Sequence, residues 1–187
     1  MAKKVSRRLV VDASVARSAT MSNDQTATAC REFLQVVLDV CHRVVLTNEI
    51  DREWNHVALQ IRSRADEVRS RFLVSWMFAM TRKGKLIRLR IGPDTDLRAK
   101  INRLGLPDQD RQAVSEDIHL IEAAIASDHI IISRDDSVER LLSGIAPSFP
   151  EFGMVVWCNP VARGSEALEW LGNRAESVRA WQLRSQR

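Results

Sequence analysis

Cysteine is scarce in this sequence, and what there is does not pair. Cys30, Cys41 and Cys158 are odd in number and include no Cys-x-x-Cys. None of the four histidines (His42, His56, His119, His129) stands at zinc-ligand spacing from a cysteine. Structural zinc, a disulfide framework and thiol catalysis are therefore set aside. The thiols read as buried and free in a reducing compartment, so a cytoplasmic protein is expected. No run approaches the 18 or so apolar residues of a membrane span. At the N-terminus only Leu9, Val10 and Val11 stand between Arg8 and Asp12, too few for the apolar part of a signal peptide. The chain is expected to be soluble and to stay where it is made. The seven glycines form neither Gly-x-Gly-x-x-Gly nor Gly-x4-Gly-Lys-Ser/Thr, which argues against nucleotide-binding enzymes.

What remains is an ordinary globular composition: 187 residues, 45% hydrophobic and 28% charged. That length predicts one domain able to build its own core. The net charge of +4 conceals an asymmetry. Between Arg62 and Arg103 twelve Lys/Arg face four acids, a local +8 that leaves −4 for the rest of the chain. Such a segment suits a polyanionic partner. A solvated, arginine-rich helical face would look the same.

Short apolar runs alternate with helical patterns. Leu9–Val11, Val44–Leu46, Ile130–Ser133 and Met154–Trp157 read as buried strands, with Leu86–Ile91 as an edge candidate. Asn23 or Asp24 is expected to cap the first long helix, and Thr47 or Asn48 the next. A helical pattern from there to Met80 would be about 50 Å long, so a break is expected near Ser63 or Ser70. Pro93 and Asp94 open a short helix, a longer one runs from about Asp110 to Ser127, and two amphipathic helices finish the chain. Continuous apolar strands separated by helices predict an α/β fold of three layers. Its central, mostly parallel sheet would have four to five strands flanked by helices. Ligands of such sheets bind outside the carboxyl ends of the strands.

Acids sit at those ends. The first strand runs into Asp12, the second through Thr47-Asn48 to Glu49, and the Ile130–Ile132 run through Ser133-Arg134 to Asp135. Asp117 shares the inward face of its helix with Val114, Ile118, Ile121 and Ala124. Carboxylates converging without a resident cation repel one another, and their pKa values rise. Mg²⁺ or Mn²⁺, hard ions that prefer oxygen ligands, would relieve that repulsion and support phosphodiester hydrolysis. Taken singly, each acid also has a structural role open to it. Asp12 suits a turn or cap, Glu49 and Asp117 suit early helical turns, and either Asp135 or Asp136 suits a helix cap.

With these residues in view, the chain resembles the PIN-domain proteins, the fold of VapC-like toxins and related metal-dependent ribonucleases. The resemblance is carried by Leu9-Val10-Val11-Asp12-Ala13-Ser14, by Glu49, by Glu116-Asp117-Ile118-His119-Leu120-Ile121-Glu122-Ala123-Ala124, and by Ile131-Ile132-Ser133-Arg134-Asp135. It covers about residues 8 to 157 and is weakest in the middle. It implies that Asp12, Glu49, Asp117 and Asp135 bind Mg²⁺ or Mn²⁺ and carry catalysis. Ser14 and Ser133 would support that shell by hydrogen bonding, with Asp136 as an extra or substitute ligand. It implies an RNA substrate and, for a toxin of a toxin–antitoxin pair, an antitoxin-like protein partner. Basic residues Arg82, Lys83, Lys85, Arg88 and Arg90 are assigned to the nucleic acid. The domain expected is a nuclease unit over 1–160 with a basic helical insertion at about 62–105. A helical extension over 161–187 would pack on it or form a homodimer contact. The chain exceeds a compact PIN toxin through these two segments, so the resemblance favours nuclease chemistry over a toxin role. The competing expectation is a catalytically silent RNA- or protein-binding module. A receiver or a haloacid-dehalogenase-type phosphatase is disfavoured, because Asp12 is followed by Ala13 and Ser14 with no second acid.

Overall fold

The computed structural model describes residues 6–59 and 64–184, with side chains for all of these except 57–59 and 64–70. In chain order its elements are β1 (Arg8–Val11), α1 (Ala13–Ser18), α2 (Gln25–Asp39), β2 (Arg43–Leu46), α3 (Asn48–Leu59), α4 (Arg64–Arg82), β3 (Leu86–Arg88), α5 (Thr95–Asn102), α6 (Asp108–Ile125), β4 (Ile130–Ile132), α7 (Asp136–Ile145), β5 (Val156–Cys158), α8 (Pro160–Arg163) and α9 (Ser165–Gly172). The strands form one sheet in the order β3-β2-β1-β4-β5, with every pairing parallel. The fold is therefore α/β, a five-stranded parallel sheet flanked by helices and consistent with a three-layer PIN-like arrangement.

Burial explains why the inner strands are nearly all apolar beyond their first residue. Successive side chains point to opposite faces, yet Leu9, Val10 and Val11 are all fully buried, as are Ile131 and Ile132. Both faces of the sheet must then be covered. One packing group is α2 with α4, α8 and α9; another is α6 with α5, α7, β1 and β4. Edge strand β3 is only half-buried.

Short-range chemistry sets the helix starts. Asp24 accepts the Ala27 N–H at 2.8 Å and begins α2. Thr47, rather than Asn48, caps α3 through its hydroxyl to the Ile50 N–H at 3.3 Å. Asp94 receives the Asp96 and Leu97 N–H groups ahead of α5. Two indoles then pin helices in place. Trp54 Nε1 donates to the Val11 carbonyl at 2.9 Å, which holds α3 against the end of β1. Trp76 Nε1 donates to Leu34 O at 2.6 Å and ties α4 to α2.

Several expectations are corrected. The stretch expected as a basic insertion belongs to the sheet domain: it supplies β3 and the buried Leu73, Trp76 and Met80. The pattern from Thr47 to Met80 is two helices, as its length required. Of the two residues named for the break, Ser70 lies inside α4, and Ser63 lies outside the described residues. The last strand begins at Val156, not Met154, which sits in a 3₁₀ turn and is 52% exposed. The second C-terminal helix is not helical. Residues Arg179–Trp181 form one 3₁₀ turn, and Leu183 N–H bonds Val155 O at 2.9 Å, so the segment lies antiparallel beside β5. The turn buries Trp181 edge-on against Trp170. No described helix is long and apolar enough to cross a membrane.

Candidate functional site

The chain places β2 and β3 on one side of β1 and then returns to place β4 and β5 on the other, so the sheet's direction of growth reverses between β1 and β4. A crevice opens outside the carboxyl ends of strands at such a switch point. Asp12 and Ser133 are the residues immediately following β1 and β4.

Asp12 is held with unusual completeness for a residue at a strand end. Its Oδ2 accepts the hydroxyls of Ser14 (2.5 Å) and Ser133 (2.6 Å), and its Oδ1 accepts the Ser14 N–H at 3.1 Å. Each hydroxyl also accepts a main-chain N–H: Ser133 Oγ from Asp135 at 3.0 Å, and Ser14 Oγ from Arg134 at 3.2 Å. A hydroxyl that receives an N–H has its single hydrogen left for the carboxylate. All the groups on Asp12 are therefore donors. The two serines lock the β1 and β4 ends together.

Asp135 caps α7, its Oδ1 accepting the Ser137 and Val138 N–H groups at 3.0 and 2.9 Å. Asp136 turns away and receives Asn159 Nδ2 at 2.8 Å, which joins the start of α7 to the start of α8. Asp117 comes in half-buried from α6. Burial, then the charges of Asp12, Asp135 and Glu53, push its carboxyl up to about 7, against a smaller opposing pull from His119. No hydrogen bond satisfies it among the described residues. The structure thus brings Asp12, Asp117 and Asp135 into one another's field.

Glu49 belongs to a neighbouring arrangement. It lines a cleft of about 240 Å³ with Thr47, Arg52, His119 and Glu122. Glu122 is 8% exposed. Its carboxylate accepts the Asp94 N–H at 2.9 Å and both arms of Arg98, at 2.8 and 2.7 Å. Arg98 also reaches Glu49 at 3.5 Å. Those bonds to Glu122 raise the pKa of Arg98 over the opposing effect of burial. A resident cation therefore stands in the Glu49–Glu122 half of the acidic edge, where none was expected. None stands among Asp12, Asp117 and Asp135 in the ion pairs of the described residues.

His119 links the two halves. Its Nδ1 lies 2.9 Å from the Glu116 carbonyl and must donate to it, so Nε2 is the titrating nitrogen. Nε2 stands 3.3 Å from Glu53 Oε1, an ion-pair contact without hydrogen-bond alignment. Burial alone lowers the pKa of this imidazole. The Glu53 carboxylate, the Glu116 carbonyl and Asp117 together outweigh burial and raise it.

Sequence reasoning missed Glu53, Glu122, Arg98 and His119. Glu53 lies four residues after Glu49 on one helix face, and Glu122 sits between buried Ile121 and Ala123. Both signals were present. The partnership of Arg98 with Glu122 spans 24 residues and has no local signal. The expected nucleic-acid cations are partly engaged elsewhere. Lys85 Nζ takes the terminal carbonyls of α2, Val37 and Leu38 at 3.1 and 2.7 Å with Val40 beside them. Lys83 reaches Leu38 O at 3.3 Å. Arg88 pairs with Asp51 at 2.6 Å, Arg82 lies over the Phe78 ring, and Arg90 is exposed.

The donor set suits a hard divalent ion in its chemistry, because it is all carboxylate. Acceptor capacity remains on Asp12 Oδ1, on Asp135 Oδ2 and on both oxygens of Asp117. The side chains are not closed around such an ion: among the described residues no group of three or more His, Cys, Asp or Glu is arranged to hold a metal. Comparison of the chain with protein-family models, curated proteins and solved structures gives no match.

Proposed function

We propose that the chain is a PIN-like, Mg²⁺- or Mn²⁺-dependent ribonuclease whose reaction centre is the crevice between the ends of β1 and β4. The observation that carries this reading is the convergence of Asp12, Asp117 and Asp135 at the sheet's switch point, with Asp117 left uncompensated. Asp12 and Asp135 would hold the ion from fixed positions, and Asp117 would complete the site on losing its proton. Glu49 would join from the cleft by exchanging its long contact with Arg98. Such an ion would supply a water of lowered pKa and positive charge for the phosphoryl oxygens. Ser14 and Ser133 keep the Asp12 carboxylate aimed. Arg98 keeps Glu122 neutralised, so the remaining negative charge is concentrated on the three aspartates.

The experiment is cleavage of a labelled single-stranded RNA by purified protein with Mg²⁺, Mn²⁺ or EDTA, using wild type and Asp117→Asn. Metal-dependent cleavage that the substitution abolishes supports the reading. The closed contact between Arg98 and Glu49 favours a second reading, an RNA-binding module without turnover. That module would bind the same RNA and leave it intact under every metal condition.

A further inference from the structure

Away from the acidic edge lies an open groove of about 720 Å³ with Arg140, Arg163, Arg179 and Arg184 on its walls. The four come from three places in the chain: α7, α8, and the C-terminal segment that lies beside β5. Glu139 is the one acid among its lining residues. Ser143, Gly144 and Ala180 also line the groove, small residues that let a ligand backbone approach closely.

These cations are less engaged by the protein itself than Lys83, Lys85 and Arg88 of the Arg62–Arg103 stretch. Arg179 and Arg184 are exposed and form no ion pair among the described residues, and exposed Arg140 donates only to the Asp136 carbonyl at 3.2 Å and the Ser137 hydroxyl at 3.3 Å. Arg163 lies over the Trp181 ring at 4.8 Å and meets Glu166 only at 3.9 Å. By contrast, Lys83, Lys85 and Arg88 of the other segment bind carbonyls or a carboxylate of the protein itself.

We infer that this groove is a binding site for the phosphate backbone of a single-stranded polynucleotide, leading away from the acidic crevice. Three features select this ligand. All four cations are arginines, whose planar forks pair bidentately with phosphate oxygens. The groove is an open trough, which suits a polymer better than a small metabolite. Its aromatic neighbour Trp181 is 3% exposed, so the groove lacks the exposed apolar centre typical of a protein interface. Its position agrees as well. The starts of α7 and α8 are joined at the crevice by the Asp136–Asn159 bond. Arg140 lies five residues after Asp135, roughly 7 Å of helical rise from the acidic edge.

The choice of RNA as the polymer rests on the nuclease reading; the groove itself does not. The test is fluorescence anisotropy of a labelled 12-nucleotide single-stranded RNA with full-length protein in EDTA, where no metal-dependent cleavage occurs. Wild type is compared with Arg179→Glu/Arg184→Glu, with the milder Arg140→Gln/Arg179→Gln, and with Arg82→Glu/Arg90→Glu. The groove variants are expected to bind at least tenfold more weakly. With about 0.7 in the salt slope per phosphate contact on a single strand, the double charge reversal makes the slope shallower by about 1.4. The Arg82/Arg90 variant is expected to keep most of its affinity. Groove variants that bind like wild type, a wild type that does not bind RNA, or equal competition by polyglutamate would each overturn the inference. A protein that binds through the groove yet never cuts RNA would leave the groove standing and remove the nuclease.

Discussion

Asp117→Asn isolates the electrostatic tension at the centre of the site. Asp117 has no hydrogen bond to lose, and asparagine has the shape of the protonated acid. In the folded chain the carboxyl stands at about 7 against an ordinary 3.8. Between these values the folded protein holds a proton that the unfolded chain has released. Stability therefore falls as pH rises through that window, and stays low above it. At 1.36 kcal/mol per pKa unit the full shift corresponds to about 4 kcal/mol. The carboxyl is only half-buried, so solvent screening reduces the expected effect to about 2–3 kcal/mol. Urea denaturation in EDTA measures it. Wild type and variant are expected to be equally stable near pH 4, with the variant ahead by about 2–3 kcal/mol at pH 8. A gap of the same size at both pH values, or a variant weaker at pH 8, would refute the argument that Asp117 is uncompensated.

Three further substitutions test the surroundings. Asp12→Asn places an amide NH₂ where every neighbour is a donor, so it is expected to cost about 1–3 kcal/mol in urea denaturation as well as any activity. An unchanged midpoint would contradict the donor assignment of Ser14 and Ser133. Arg98→Met leaves the Glu122 carboxylate buried without its cation and is expected to cost about 3 kcal/mol. The same denaturation assay reads that loss, and a neutral outcome would refute the dependence of Glu122 on Arg98. Trp54→Phe removes the donor to the Val11 carbonyl and is expected to cost about 1–2 kcal/mol. Its thermal midpoint should fall accordingly.

The sheet was legible because its strands are short, β-branched and uninterrupted, a pattern that burial on both faces requires. Asp12, Asp117 and Asp135 were legible because strand ends and the inward face of α6 could be located from apolar spacing alone. The serines came only with the resemblance to PIN-domain proteins. The end of the chain was misread because Val178, Trp181 and Leu183 have an apolar spacing that suits either a helix or a strand beside β5. Tertiary contacts with Val155 and Trp170 decide between them. The basic stretch was expected as a helical insertion because charge dominates its composition. The buried Trp76 and Met80 and the pairing of β3 with β2 make it part of the core. Arg98 could not have been assigned to Glu122 from sequence, since only the fold brings α5 onto α6.

The central claim concerns the ion, and calorimetric titration of Mn²⁺ into the full-length protein at pH 6.5, where Asp117 still holds its proton, tests it most directly. Run in two buffers of different ionisation enthalpy, the titration also counts protons. The expected result for wild type is saturable binding with proton release as Asp117 gives up its hydrogen, and loss of that binding in Asp117→Asn. Absence of Mn²⁺ binding to wild type, or identical binding by the variant, would contradict the account.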